Sequence, residues 1–289
     1  MTKLAMLNAM ASEDFVESLA IQKSWGIDEL DLKDHIFGKS ITDLSDSEAR
    51  LAAELIQTKG LSVYCFSTQL FHDHVEKGEA YFSEMYASKI SRTIEIARIL
   101  NPTYIRILPV KMEQGKVGAY IHDLSKQYRW LIDVYRHAID QFSDAGFRVT
   151  IENENDSILA SPGEILEFFD VINRNGKLFF TYDVQNLWQM GTYPSIDVYS
   201  MLKPILVYFH VKGGIEDRIT KTLKWKSSLD DATWPVESMV KAVIADELSP
   251  VICLNPSHGE LNPTYNYERL VQRDLSYMNN LIDLSRTNI

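Results

Sequence analysis

Short apolar runs alternate with longer amphipathic stretches eight times along the 289-residue chain. The runs are Leu4–Ala9, Glu29–Leu32, Ser62–Phe66, Tyr104–Leu108, Arg148–Glu152, Leu178–Asp183, Leu206–His210 and Val251–Asn255. Each has strand length and is bounded by turn residues, so each predicts a β-strand. The stretches between them repeat apolar residues at helical spacing, most clearly over Ser45–Lys59, Glu79–Leu100, Gln127–Ala145 and Pro162–Asn173. Ser161-Pro162-Gly163-Glu164 offers an N-cap, a proline in the first turn and an acid at the third position, which together start a helix. Gly60, Gly146 and Gly176 stand between a helical stretch and the next strand, where helices stop.

Eight βα repeats predict an α/β fold, a (β/α)8 TIM barrel taking residues 1–289 as a single domain. An open doubly wound sheet is the competing fold. It would carry a glycine-rich phosphate loop after the first strand, where this chain has Met10-Ala11-Ser12-Glu13. The connection from His210 to Val251 is the longest. It holds Lys212-Gly213-Gly214, the basic stretch Arg218–Lys226, and Trp225, Trp234 and Pro235. A long loop on that face of a barrel is expected to form a lid or a substrate wall.

Candidate chemistry lies at the strand ends. Glu152, Asp183, His210 and Asn255 close the last four runs, and in a parallel barrel these C-terminal tips form one mouth. Alternation along a strand keeps the four compatible. If Glu152 points inward, so does Thr150; Asp183 goes with Thr181, His210 with Tyr208 and Lys212, and Asn255 with Cys253. Val149, Ile151, Val207 and Phe209 are left for the helix layer. Two carboxylates and an imidazole suit a divalent cation such as Mn2+, Co2+, Mg2+ or Zn2+, which can act as a Lewis acid on a carbonyl or hydroxyl. Any one of these residues alone reads more simply as a hydrogen-bonding barrel-top side chain. The three at equivalent positions point to a metal or polar-ligand site.

With 45% hydrophobic and 24% charged residues the chain is an ordinary globular one. Its net charge of -11 disfavours a nucleic-acid partner, whose phosphates attract Lys and Arg. Cys65 and Cys253 lie inside strand runs without paired spacing, so no disulfide framework is expected and a reducing, cytoplasmic setting is the simplest. Lys3 before Leu4-Ala5-Met6-Leu7 imitates the start of a signal peptide, but Asn8 interrupts the run. No apolar stretch approaches the ~20 residues that span a bilayer, so no membrane partner is expected.

Five segments follow one another at the spacing of strands two, five, six, seven and eight. They are Trp25-Gly26-Ile27-Asp28-Glu29-Leu30-Asp31-Leu32, Thr150-Ile151-Glu152-Asn153, Tyr182-Asp183-Val184-Gln185-Asn186, His210-Val211-Lys212, and Trp234-Pro235 through Asn255. In that order they resemble the xylose-isomerase-like (AP-endonuclease family 2) TIM barrels over nearly the whole chain. That family includes sugar isomerases, ketose 3-epimerases and inosose dehydratases. Asp31 stands where it usually has Glu. The resemblance implies a divalent metal held by Glu152, Asp183 and His210, with Asn255 in the fourth place. It implies a reaction in which the ion holds adjacent oxygens of an open-chain sugar and a carboxylate moves a proton through an enediolate. Glu152, Lys212 and His258 are then the candidate catalytic residues. Arg218, Trp188, Arg106 and Asn186 are the candidate substrate contacts. Glu260, like His258, follows the last strand closely enough to reach the mouth.

Three departures narrow this expectation. Asn186 replaces a His, Gly213 an Asp, and Asn255 the last Glu. An amide oxygen ligates a hard cation but brings no charge and cannot act as a base, so metal affinity should fall. Epimerisation with one acid on each substrate face loses a partner. One-base isomerisation and metal-assisted dehydration survive, with His258 as a possible stand-in.

Other residues carry weaker signals. His72-Asp73-His74 has the spacing of a metal pair but also of a polar loop. Arg106, inward on the fourth strand, either orients the carboxylates or pairs with a barrel acid. Of Tyr64, Phe66, Phe71, Trp188, Trp225 and Trp234, most should be core; Trp188, just past Asp183, is favoured as a sugar-stacking wall. His122 and His137 suggest no chemistry. The leading function is a sugar or polyol-derivative isomerase, epimerase or dehydratase acting on a small molecule. The alternatives are a catalytically degenerate carbohydrate-binding barrel and, disfavoured by Asn186 and the net charge, an abasic-site endonuclease. A homodimer is compatible with the sequence.

Overall fold

Eight parallel strands close on themselves in the computed structural model, which describes residues 2–112, 126, 128–256, 260–267 and 269–287. The chain runs through β1 (Lys3–Leu7), β2 (Glu29–Leu32), β3 (Ser62–Ser67), β4 (Tyr104–Ile107), β5 (Arg148–Glu152), β6 (Leu178–Asp183) and β7 (Leu206–Val211). A small antiparallel hairpin follows, β8 (Ile215–Glu216) and β9 (Leu223–Trp225), and then the closing strand β10 (Val251–Leu254). Around the barrel the order is β1-β10-β7-β6-β5-β4-β3-β2. The predicted (β/α)8 barrel is the observed fold.

Among the described residues the helices are α1 (Phe15–Ser24), α2 (Asp46–Thr58), α3 (Gly78–Leu100), α4 (Arg129–Asp144), α5 (Pro162–Ile172), α6 (Val184–Gln189), α7 (Ile196–Leu202), α8 (Val236–Ala245) and α9 (Leu270–Thr287). Local signals set their ends. Ser45 and Glu48 form a reciprocal capping box at the start of α2. Ser161 accepts the Glu164 N–H at the start of α5, and Asn173 ends that helix in the left-handed region at φ 49°.

Two separate cores follow from strand alternation. The larger lies between barrel and helices and takes Val149, Ile151, Phe180, Phe209 and Ile252 from the strands. The smaller fills the lower lumen with Ala5, Tyr64, Cys65, Tyr104, Tyr208, Val251 and Cys253. Val207 departs from the expected parity: it packs against the lumen cluster rather than the helix layer. The cause is a register shift, since Phe180 pairs with Leu206 but Thr181 pairs with Tyr208. Both cysteines are buried and free. Among the described residues no helix is long and apolar enough to cross a membrane.

Candidate active site

β5, β6 and β7 deliver Glu152, Asp183 and His210 to the open end of the barrel. Register sets them side by side, with Asp183 opposite His210 and His210 opposite Cys253. One ligand atom from each of Glu152, Asp183 and His210 lies within 4.8 Å of the others, and all three side chains are buried. His210 Nδ1 is 3.2 Å from Glu152 Oε1 and 3.8 Å from Asp183 Oδ2. Its Nε2 faces down the lumen, 3.7 Å from Asp31 Oδ2.

The backbone holds Asp183 in place. Its Oδ1 accepts from the N–H groups of Gln185 and Asn186 at 2.9 and 3.0 Å, capping α6. Asn153 clamps the same strand end: its Oδ1 accepts the Asp183 N–H at 2.9 Å, and its Nδ2 donates to Asp183 O at 2.8 Å. Asn186 in turn donates its amide to Asn153 O at 3.1 Å. With Oδ1 committed, Oδ2 of Asp183 is the atom left facing the cluster.

Two protein cations share the site. Arg106 pairs with Glu152 through Nη1, and its Nη2 donates to Thr68 O at 3.1 Å. Arg106 thus pairs with a barrel acid, and that acid is one of the site carboxylates. Lys212 Nζ lies 2.7 Å from Asp183 Oδ2 as an ion pair. Trp234 Nε1 donates to the Lys212 backbone oxygen at 3.1 Å and steadies that residue from behind.

These pairings decide the charge states. Burial would raise the Glu152 carboxyl, but Arg106 and His210 outweigh it and hold the group well below the usual range. Burial and Lys212 oppose each other at Asp183, and Lys212 wins, so Asp183 stays ionised. Burial pulls His210 down, yet Glu152, Asp183 and Asp31 together push it up to about 9. Lys212 is likewise raised, because Asp183 and Glu152 overcome its burial. Asp31 goes up, since burial exceeds the help it gets from His210 and Arg106.

Above the cluster opens a cavity of about 510 Å³, a size that suits small molecules. Glu152, Glu154, Arg106, Asn186, Lys212 and Asn255 line it, with the more exposed Lys33, Lys224 and Glu260. Among the described residues His210 Nε2 and Asn255 Oδ1 are buried without a hydrogen-bond partner, while Asp183 Oδ2 and His210 Nδ1 meet Lys212 and Glu152 as ion-pair contacts. Unsatisfied buried polar atoms are costly. A carboxylate, imidazole and amide set of this kind fits a divalent cation, with Asn255 adding an oxygen but no charge.

Several expected contacts fall elsewhere. Trp188 is buried and does not line the cavity; its Nε1 donates to Lys221 O at 2.8 Å and its ring packs edge-on against Tyr193. It fastens the β8–β9 hairpin, whose Leu223 and Lys224 supply the cavity wall instead. Arg218 is exposed near the hairpin turn and is not a lining residue. Tyr64, Phe66, Phe71 and Trp234 are core, as expected of most barrel aromatics. In the His72-Asp73-His74 loop, Asp73 is taken by Lys77, Tyr81 and Tyr86. His72, pushed down to about 4 by burial and Lys111, lines a separate hollow with His74 and Lys111. His258 and His122 lie outside the described residues. Glu154 was missed: it lines the cavity two residues beyond Glu152, and burial and Glu152 raise it to about 7. The alternation that singled out Glu152 would have found it.

Residues 20–222 match the family model described as Xylose isomerase-like TIM barrel. No curated protein matches the sequence. Among solved structures, the chain is similar to the probable 3-DHS dehydratase AsbF from Bacillus anthracis, at 14% identity over 96% of this chain and 99% of that one, TM-score 0.71. It is similar to an L-ribulose 3-epimerase at 13% identity over 100% and 97% of the two chains, TM-score 0.72. It is also similar to an IOLI protein with a bound zinc atom at 15% identity over 98% and 99%, TM-score 0.73. At such identities the likeness establishes the fold.

Proposed function

Because the chain belongs to the xylose isomerase-like TIM barrel family, we propose that it is a sugar or polyol-derivative isomerase, epimerase or dehydratase with a divalent metal at the barrel mouth. One observation carries this reading: Glu152, Asp183 and His210 converge within 4.8 Å beneath a cavity of about 510 Å³. The epimerase and dehydratase among the similar structures support the substrate class. The ion would be held by Glu152, Asp183 and His210 with the Asn255 amide. When bound, it supplies a Lewis acid for a substrate carbonyl or hydroxyl.

The chain's own groups do the rest. Glu152, ionised beside Arg106, is the carboxylate we assign to accept the proton from the substrate carbon. Glu154 lines the same cavity and offers the second carboxyl that Asn255 cannot provide. Lys212 and Asn186 present donors to substrate oxygens. The Leu223–Lys224 wall limits the access of water. His258, just past the last strand in sequence, remains a candidate catalytic residue.

The test is turnover of ketoses, polyols and inososes by the purified protein with Mn2+, Co2+, Mg2+ or Zn2+. At least one should be converted, and Glu152→Gln should lower kcat about a hundredfold or more. A protein that binds none of these ions and loses nothing on Glu152→Gln contradicts the proposal. The ion pairs of Arg106 and Lys212, with Asn255, favour a second reading: a carbohydrate-binding barrel without catalysis. Sugar binding by calorimetry with no conversion under metal supplementation would select it.

A further inference from the structure

In the metal reading just given, on which this inference rests, an ion must share Asp183 with Lys212. We infer that Lys212 is the cluster's resident cation, and that a divalent ion enters only in exchange for its ammonium group on Asp183.

Lys212 Nζ sits 2.7 Å from Oδ2, the oxygen of Asp183 left free by the α6 cap. Both side chains are buried, so the pair is weakly screened. The charge count gives a second argument. Glu152, Asp183 and Asp31 face Arg106, Lys212 and His210, and these six innermost groups balance when all are ionised, with Glu154 adding a carboxyl on the cavity wall. A divalent ion added to that set leaves buried positive charge in excess, which is costly. With Lys212 withdrawn and His210 neutral, as ligation requires, the three carboxylates are balanced by Arg106 and one divalent ion.

The two cations also differ in freedom. Arg106 is tied to Thr68 O as well as to Glu152 and cannot leave without stranding both. Lys212 has Asp183 as its only ion-pair partner among the described residues, and it lines the cavity. A flexible four-carbon stem lets its ammonium swing into that space.

The experiment is Mn2+ titration, followed by calorimetry and by the free-ion electron paramagnetic resonance signal. It compares wild type, Lys212→Met, Lys212→Gln and the charge-keeping Lys212→Arg. Met and Gln should tighten Mn2+ binding about tenfold or more, while Arg should not. Measurable Mn2+ binding that is equal or weaker in Met and Gln overturns this inference alone. No binding by any of the four proteins overturns it together with the metal reading. Wild type gives an independent readout if the variants fail to fold. In 13C-lysine-labelled protein the Lys212 ε-carbon resonance should shift as Zn2+ binds and the ammonium leaves Asp183. A resonance that stays in place with Zn2+ bound overturns the exchange.

Discussion

Tyr208 reaches across the barrel lumen to Asp31, its hydroxyl donating to Oδ2 at 3.1 Å between residues 177 apart in sequence. Ser67 donates to the other carboxylate oxygen, and His210 Nε2 lies 3.7 Å from the shared Oδ2. A metal-binding histidine is oriented through its second ring nitrogen, and Asp31 is the group beneath that nitrogen. Asp31→Ala strands two hydroxyls and frees the ring. It should cost roughly 2–4 kcal/mol of stability and weaken Mn2+ binding about 10–100-fold. Calorimetry on the folded variant checks the second effect; unchanged affinity would mean that the ring is held without Asp31.

Arg106 and Glu152 are both almost fully buried and paired. Removing one partner leaves the other charge unanswered in the interior. Arg106→Met should therefore destabilise the protein by roughly 3–5 kcal/mol. Arg106→Met combined with Glu152→Gln should recover much of that loss. Urea midpoints of the two variants decide the point, and a double variant no better than the single one would show that Arg106 acts by packing.

Gly213 has a steric reason in place of the Asp usual in the family. A Cβ there would fall 2.1 Å from Ser227 O and 2.7 Å from Ser228 C, both backbone atoms that cannot swing aside. Gly213→Ala should cost roughly 1–3 kcal/mol and displace the segment that anchors the hairpin wall. Restoring the acid with Gly213→Asp should be worse still. An Ala variant with wild-type urea stability would contradict this close approach.

Asp274, away from the mouth, gives the clearest pH effect. Its Oδ1 accepts the Leu229 N–H at 2.7 Å while Oδ2 has no hydrogen-bond partner among the described residues, and burial pushes the carboxyl up to about 7 despite the Leu229 bond. An acid with a raised folded pKa favours the folded state most below its unfolded value and loses that contribution as pH rises through 7. Asp274→Asn keeps an acceptor and carries no charge. It should raise Tm by a few degrees at about pH 8.5 and by less at about pH 5. Equal shifts at both pH values would contradict the assignment.

The sequence made most of the frame legible. Glu29–Leu32, Arg148–Glu152 and Leu178–Asp183 have the predicted bounds, because each run is closed by a sharp change in polarity. The convergence of Glu152, Asp183 and His210 followed from alternation along strands. Val207 did not, since the register shift beside Phe180 depends on how two strands meet. Trp188 was favoured for its place just past Asp183, and Arg218–Lys226 read as a basic stretch; neither signal announces the β8–β9 hairpin that buries the indole. Arg106 was expected to pair with a barrel acid and does so with Glu152, whereas the seating of Lys212 on Asp183 depends on side-chain direction across neighbouring strands, which one sequence does not encode visibly.

The central claim is that Glu152, Asp183 and His210 form one ion site. Crystals equilibrated with Mn2+ test it most directly. The account predicts an anomalous peak among these three side chains and the Asn255 amide, with Lys212 withdrawn from Asp183. Saturating Mn2+ with no peak there, and Lys212 still seated on Asp183, would contradict it.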